Sequence, residues 1–473
     1  MERRMRRRLR HSLRRATLGR LGAGIAIIAF MAGGASAETV VLEHFTLIDG
    51  TGRAPQRDQS LVMVDGRVTQ VGPAARVRAP KGAVRENLRG KFLMPGIIDS
   101  HVHLGLVDGI EQSFPKYYDR ANVEQQLKLY AAYGVTSVYT LGTDGDEIHT
   151  IIADQRRIGR IDGARAFTAG RGVVYKGSYG GVPGLDQQVS TPAETQAMVR
   201  REVAKGDDFV KLWMDDEFGD VAERMPYSIS KAAIDTAHAL GKKAVGHIFY
   251  AENAAGLVGQ GVDGFMHQVR DKPIDVALIA DMKTKGTWQL ASTLSREASF
   301  TYRLLPFVDD PFFLRGVAPT TIAALKSPER QARLAAGPHF GKYPAVLDMA
   351  LKNFGAMAKA GIPFGMGTDS GPTARFPGYF AHWELELMVK AGVTPLQALT
   401  AATGTNAKFL NARDIGTVER GKWGDLLVLD RDPTADIRNT RSIRAVYVAG
   451  RKQPTIWQTC TGRAADACGP APQ

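Results

Sequence analysis

The sequence predicts an α/β fold: a (β/α)8 barrel of the TIM type, carrying a small β-sandwich domain built from both ends of the mature chain. Two patterns lead there. Short apolar runs broken by turns fill residues 39–92 and return over 425–448, as in a compact β domain. Between them, apolar strand-like runs alternate with helical periods, the mark of parallel βα units. Eight strand candidates can be counted in that middle region, enough to close a barrel with its chemistry at the carboxyl ends of the strands. A chain of 473 residues with 44% hydrophobic content can bury one large core and a smaller one.

Taken in order, residues 1–37 read as a signal peptide. An Arg-rich stretch through Arg20 precedes an apolar run from Leu21 to Met31 and then Ala35-Ser36-Ala37, the layout of a cleaved export signal. The apolar run is far shorter than the ~20 residues that span a bilayer, so the expected location is periplasmic or secreted, with no stable membrane insertion after cleavage. Arg14-Arg15 also resembles a twin-arginine signal, and the export route stays open. Residues 38–93 form the first part of the sandwich, read as a small antiparallel sheet. Val40-Val41-Leu42, Phe45-Thr46-Leu47-Ile48 and Leu61-Val62-Met63-Val64 are strands, and Asp65-Gly66 is a hairpin turn before Val68.

The barrel is expected over 94–412. Its first strand leads into His101, and the others lie near Thr136–Leu141, Arg165–Ala169, Phe209–Trp213, Ala244–His247, Gly264–His267, Trp288–Ser292 and Pro363–Asp369. Thr394-Pro395 opens a late helix with a cap and a first-turn proline. Residues 413–457 supply the second part of the sandwich, and 458–473 a polar tail. The tail holds the only cysteines, Cys460 and Cys468, which an oxidising compartment would allow to close a small loop.

The formal charge of +13 suggests a nucleic-acid partner until it is located: residues 1–37 hold nine arginines against one glutamate, leaving +5 for the remainder. A mildly basic body without a basic stripe argues for a small-molecule substrate and against nucleic acid. From Arg296 to Lys342 the chain is rich in aromatics, with Phe300, Tyr302, Phe307, Phe312 and Phe313. A long loop of this kind reads as a lid over the active site, or as a contact between copies in a homo-oligomer.

The chemistry starts from Met94-Pro95-Gly96-Ile97-Ile98-Asp99-Ser100-His101-Val102-His103. Side chains alternate along a strand, so His101 and His103 face one way, as two ligands of one metal ion would. Lys211, His247, His267 and Asp369 likewise fall at ends of predicted strands. Each alone has a plain structural explanation, such as a core histidine or a capping aspartate. Six at barrel-strand ends make a constellation.

With these motifs, and with Gly367-Thr368-Asp369-Ser370 and Gly421-Lys422-Trp423-Gly424-Asp425-Leu426, the sequence resembles the amidohydrolase superfamily of metal-dependent hydrolases over nearly the whole mature chain. The lysine on the fourth strand resembles the binuclear branch that includes prolidase-like dipeptidases and ochratoxin-type amidases, not the single-metal imidazolonepropionase type. The resemblance implies a carbamylated Lys211 (N6-carboxylysine) bridging two divalent metal ions, with zinc the ion expected. His101, His103, Lys211 and Asp369 would hold one, and Lys211, His247 and His267 the other. It further implies cleavage of a C–N amide bond in a dipeptide or N-acyl amino acid by a metal-activated hydroxide, with Asp369 as the catalytic proton carrier. Hydrolysis of a cyclic amide or a lactone on the same centre, and a non-catalytic binding protein, are the alternatives.

Departures from that pattern bear on the substrate. Lys211 is followed by Leu-Trp-Met-Asp-Asp, where many relatives have a small glycine-rich loop, and His267 by Gln268-Val269-Arg270. Tyr250 and Arg270, three residues past His247 and His267, are the expected substrate contacts. His382 reads as helix packing and His149 as surface.

Overall fold

The computed structural model describes residues 39–158 and 161–459; the expected signal peptide, Cys460 and Cys468 lie outside them. The two terminal β segments meet in one eight-stranded sheet. Its strands are Thr39–Leu47, Gln56–Val64, Arg67–Pro73, Val84–Asn87, Phe92–Pro95, Leu426–Leu429, Ile443–Val448 and Arg451–Gln453. Phe92–Pro95 is the seam: it pairs parallel to Thr39–Leu47 on one side and antiparallel to Leu426–Leu429 on the other. The predicted Asp65-Gly66 hairpin forms with both residues left-handed, at φ +50° and +78°, as a type I′ turn requires. The expectation of a purely antiparallel sheet needs correction, because Val84–Asn87 and Phe92–Pro95 both run parallel to the first strand. Residues 74–83 carry the chain back before Val84–Asn87, as a parallel pairing requires, and 88–91 carry it on along the first strand to Phe92–Pro95.

Directly after Phe92–Pro95, the strand Ile97–Val102 begins the barrel. It pairs parallel to Val135–Thr140, which pairs with Arg165–Thr168. A second parallel group runs Val210–Trp213, Ala244–His247, Gly264–Phe265, Trp288–Gln289. Backbone contacts join the two groups on both sides. Val173 bridges Leu212, while the segment around 363–370 bridges Gln289 through Phe364 and Val102 through Ser370. The eighth stave is thus an irregular stretch, not a regular strand, yet it closes the ring: Asp369 N donates to His101 O (2.7 Å) and His103 N to Ser370 O (2.8 Å).

Inside the barrel, Ile98, Tyr139, Phe209, Val245, Met266 and Leu290 pack with Phe409 and Ile415. Asn406 follows a π turn over Ala401–Thr405 and donates from Nδ2 to Ile98 O and Met366 O, 2.7 Å each. It satisfies two carbonyls where the regular ladder fails.

The aromatic segment is not a loop over the active site. It contains helices Leu294–Phe300, Pro311–Leu314, Pro319–Lys326 and Pro328–Ala335. Phe307, Phe312 and Phe313 are buried in the main core, with Phe313 5.1 Å from Tyr379 and Phe312 5.0 Å from Tyr133, ring to ring. The lid reading therefore fails for these rings: they are covered by the helix Tyr379–Lys390 and by Tyr133. His382 is buried in the same packing, as expected. His149 is not a surface residue; its Nε2 sits 2.8 Å from the buried Asp207 carboxylate. Among the described residues no helix is long and apolar enough to cross a membrane.

Candidate metal centre

All six predicted residues converge at the carboxyl ends of the barrel staves. His101, His103, Lys211, His247, His267 and Asp369 are each at most 7% exposed. Five of them line one cavity of about 330 Å³, and Lys211 lies beneath it against the Trp213 ring, with Nζ 4.9 Å from the ring centre. His101 and His103 share a face because Val102 takes the other side of the strand. Asp99 brings the first and eighth staves together. Its carboxylate accepts from Thr368 N (3.0 Å) and Thr368 Oγ1 (2.7 Å) and also from His101 N (3.2 Å). Asp369 itself is left-handed at φ +58°, which swings its carboxylate to His103 Nε2 at 3.1 Å and His101 Nε2 at 3.6 Å. Gly371 makes room beyond it: a Cβ there would lie 1.8 Å from His103 O, and its φ is +117°.

Hydrogen bonds on the far side of the rings set their orientation. His101 Nδ1 lies 3.2 Å from Met266 O, His103 Nδ1 2.7 Å from Thr143 Oγ1, and His267 Nδ1 3.2 Å from Thr293 Oγ1. Since a carbonyl only accepts, His101 must donate through Nδ1, leaving the Nε2 lone pair inward; such outer partners fix the tautomer of a ligating imidazole. Burial lowers the pKa of all four histidines, that of His247 to about 3, so they are neutral, as ligands must be. Burial also brings Lys211 down to about 7. Burial pushes the Asp369 carboxyl up, but Arg375, His101 and His103 outweigh it and hold it well below the usual carboxylate range.

The donor set fits divalent ions. Lys211 Nζ and His267 Nε2 are buried without a hydrogen-bond partner among the described residues, and imidazole nitrogens with a carboxylate are ligands that zinc and its neighbours accept. Two groups could each hold an ion: His101, His103 and Asp369, and separately Asp215, Glu217 and His247.

A charged network that the sequence did not reveal surrounds these groups. Arg375 Nη1 is 2.5 Å and Arg296 Nε 2.9 Å from Asp369 Oδ2. Arg296 also pairs with Glu217 and Glu297. The two predicted substrate contacts lie outside the cavity lining. Tyr250 donates its hydroxyl to Asp216 Oδ1 (2.8 Å) under the Arg224 guanidinium, and Arg270 is buried, donating to Ile248 O and Gln268 O and paired with Glu297. Neither lines the cavity; Tyr250 is held by Asp216, while Arg270 Nη2 also faces Glu217 Oε2 at 3.6 Å. A larger cavity of about 640 Å³ shares Pro372 and Arg375 with the first but holds none of the six residues.

Comparison with known proteins agrees with this geometry. Residues 92–452 match the profile described as Amidohydrolase family. A Bifidobacterium longum protein assigned as a prolidase superposes with a TM-score of 0.70 at 27% identity, covering 91% of this chain and 97% of its own. A Xaa-Pro dipeptidase gives 0.68 at 20% identity, covering 88% and 99%. The ochratoxinase of Aspergillus niger is 24% identical over 87% of this chain and 85% of its own, and its structure gives a TM-score of 0.69. The family generally uses divalent metals, and its barrel with a separate sheet domain is the architecture found here. This chain belongs to the amidohydrolase family and is a hydrolase of carbon–nitrogen bonds.

Proposed function

We propose that the chain is an exported, binuclear metal-dependent amidohydrolase that cleaves the amide of a dipeptide or N-acyl amino acid. The observation that carries this reading is Lys211: a fully buried amine with no hydrogen-bond partner, among four neutral imidazoles and a carboxylate. An ordinary lysine, with a pKa near 10.5, would be a cation there. At about 7 much of it is free amine at neutral pH, able to add carbon dioxide and become an anion with two oxygens. Lys211 so modified, His101, His103 and Asp369 would hold one ion, and Lys211, His247 and His267 the other, with zinc the expected species.

Bound divalent ions lower the pKa of water and polarise a carbonyl oxygen. The chain supplies the rest. Asp369, kept ionised by Arg375, accepts the proton of the attacking water and returns it to the departing amine, a leaving group that needs it. Tyr179 and Trp213 wall the cavity. Export rests on the Arg-rich start and Ala35-Ser36-Ala37 of the sequence. The test is elemental analysis of the purified protein, then a screen of dipeptides and N-acyl amino acids. About two ions per chain with amine release is expected. A protein that opens lactones but releases no amine from any amide would replace this reading.

A further inference from the structure

After the eighth stave the chain closes a tight turn over residues 371–375. Gly371 N donates to Arg375 O (2.8 Å) and Arg375 N to Pro372 O (3.0 Å). Ala374 within it is left-handed at φ +59°, a strained conformation for a residue with a Cβ and one that gathers at functional sites. Thr373 N donates to Gln112 Oε1 (3.1 Å), which ties the turn to the short strand pair Val107–Asp108 and Glu111–Gln112. The turn delivers the Arg375 guanidinium to Asp369.

Arg375 differs from the neighbouring arginines in how little holds it. Arg296 is shared among Asp369, Glu217 and Glu297, and Arg270 among two backbone carbonyls, Glu217 and Glu297. Arg375 places Nη1 on Asp369 Oδ2, and among the described residues nothing else pairs with its guanidinium. A guanidinium presents five N–H donors in a planar fork, so Nε and Nη2 keep unused donors. Keeping Asp369 ionised does not account for them, because Arg296 Nε already stands 2.9 Å from the same oxygen.

The free edge of the fork faces open space. Arg375 lines both the cavity of about 330 Å³ and the larger one, and among the described residues it is the one lysine or arginine lining the first. Its side chain is only 15% exposed, a setting in which a paired anion counts for more than it would in bulk water. Asp369 Oδ1 lies 3.1 Å from His103 Nε2 while Oδ2 bears Arg375, so the fork stands one carboxylate's width from the predicted ligand atoms. In an N-acyl amino acid or a dipeptide the free carboxylate is two bonds from the amide nitrogen, and planar two-oxygen groups are what an arginine fork fits.

We propose that Arg375 is a specificity-determining residue that anchors the free carboxylate of the substrate while one of its nitrogens stays on Asp369; this rests on the amidase reading above.

The test compares zinc-loaded wild type with Arg375→Gln and Arg375→Lys on N-acetylleucine and on N-isopentylacetamide, which lacks only the carboxylate. Acetate release gives kcat/KM for both. Wild type should favour N-acetylleucine, Arg375→Gln should lose roughly 10–100-fold of that preference, the worth of a charged hydrogen bond, and Arg375→Lys should keep part of it. An equal fall on both compounds would overturn the inference alone, since Arg375 would then act only through Asp369. Acetate from neither compound in the wild type would count against the amidase reading instead. Calorimetric binding of the same pair then decides the anchor without turnover: N-acetylleucine binding about tenfold or more weaker to Arg375→Gln than to wild type supports it, and equal or absent binding in both proteins overturns it.

Discussion

On the proposed mechanism Asp369 and Lys211 have different roles, which substitution should separate. Asp369→Asn keeps the shape and leaves the other five ligand residues, so metal content should fall little while kcat drops about 10²–10⁴-fold through lost proton transfer. Metal analysis beside steady-state kinetics checks this; a variant near full turnover would remove the proton-carrier role. Lys211→Ala should lose metal and activity together, and retention of both ions would rule out a bridging lysine. Lys211 was legible because it lies on the strand Val210–Trp213, and Asp369 because Gly-Thr-Asp-Ser follows an apolar run, although its left-handed backbone was not. Arg296, Arg375 and Glu217 were not. An arginine or glutamate reaching in from a rim segment leaves no periodic trace, and left-handed backbone at Glu217 is invisible in a string of letters. Tyr250 and Arg270 stood at plausible spacings but are held by Asp216 and by Glu297 with backbone carbonyls. Spacing placed them near the rim and could not say which way they turn.

Among the elements, regular staves were readable and irregular ones were not. Ala244–His247 has the predicted bounds, and Thr394 caps its helix in a capping box with Gln397. The eighth stave announced itself only through Gly-Thr-Asp-Ser, since its closure runs through Asp99, Asn406 and isolated bridges instead of a ladder. The aromatic segment was misread because a cluster of rings says that something is buried but not against what. Its rings complete the packing around Tyr133 and Tyr379. Phe312→Ala and Phe313→Ala should therefore each cost about 3–5 kcal/mol of stability, a large share of a typical total. Denaturant unfolding measures the loss. Turnover of small and bulky substrates should change in the same proportion; selective loss on bulky ones would restore the lid.

At the scale of the molecule, sheet and barrel are tied by contacts distant in sequence, and His382 is one whose strength depends on pH. From the helix Tyr379–Lys390 its Nε2 reaches Tyr133 O at 2.8 Å and its Nδ1 Thr440 Oγ1 at 2.9 Å, so one imidazole joins two barrel segments to the Ile437–Arg441 turn between sheet strands. Burial, with Arg441 nearby, pushes its pKa down from 6.5 to about 3. Between those values the unfolded chain binds the proton and the folded chain does not, so stability rises with pH across that window. The contribution is complete above 6.5 and is lost as pH falls toward 3, on the order of a few kcal/mol. Other buried histidines titrate in the same direction, so the measurement is a difference: unfolding free energy at pH 7 and pH 4.5, wild type against His382→Gln. The variant should be less stable at pH 7, having lost a fitted ring, yet lose less on acidification. Equal losses in the two proteins would mean that His382 is not held neutral by the fold.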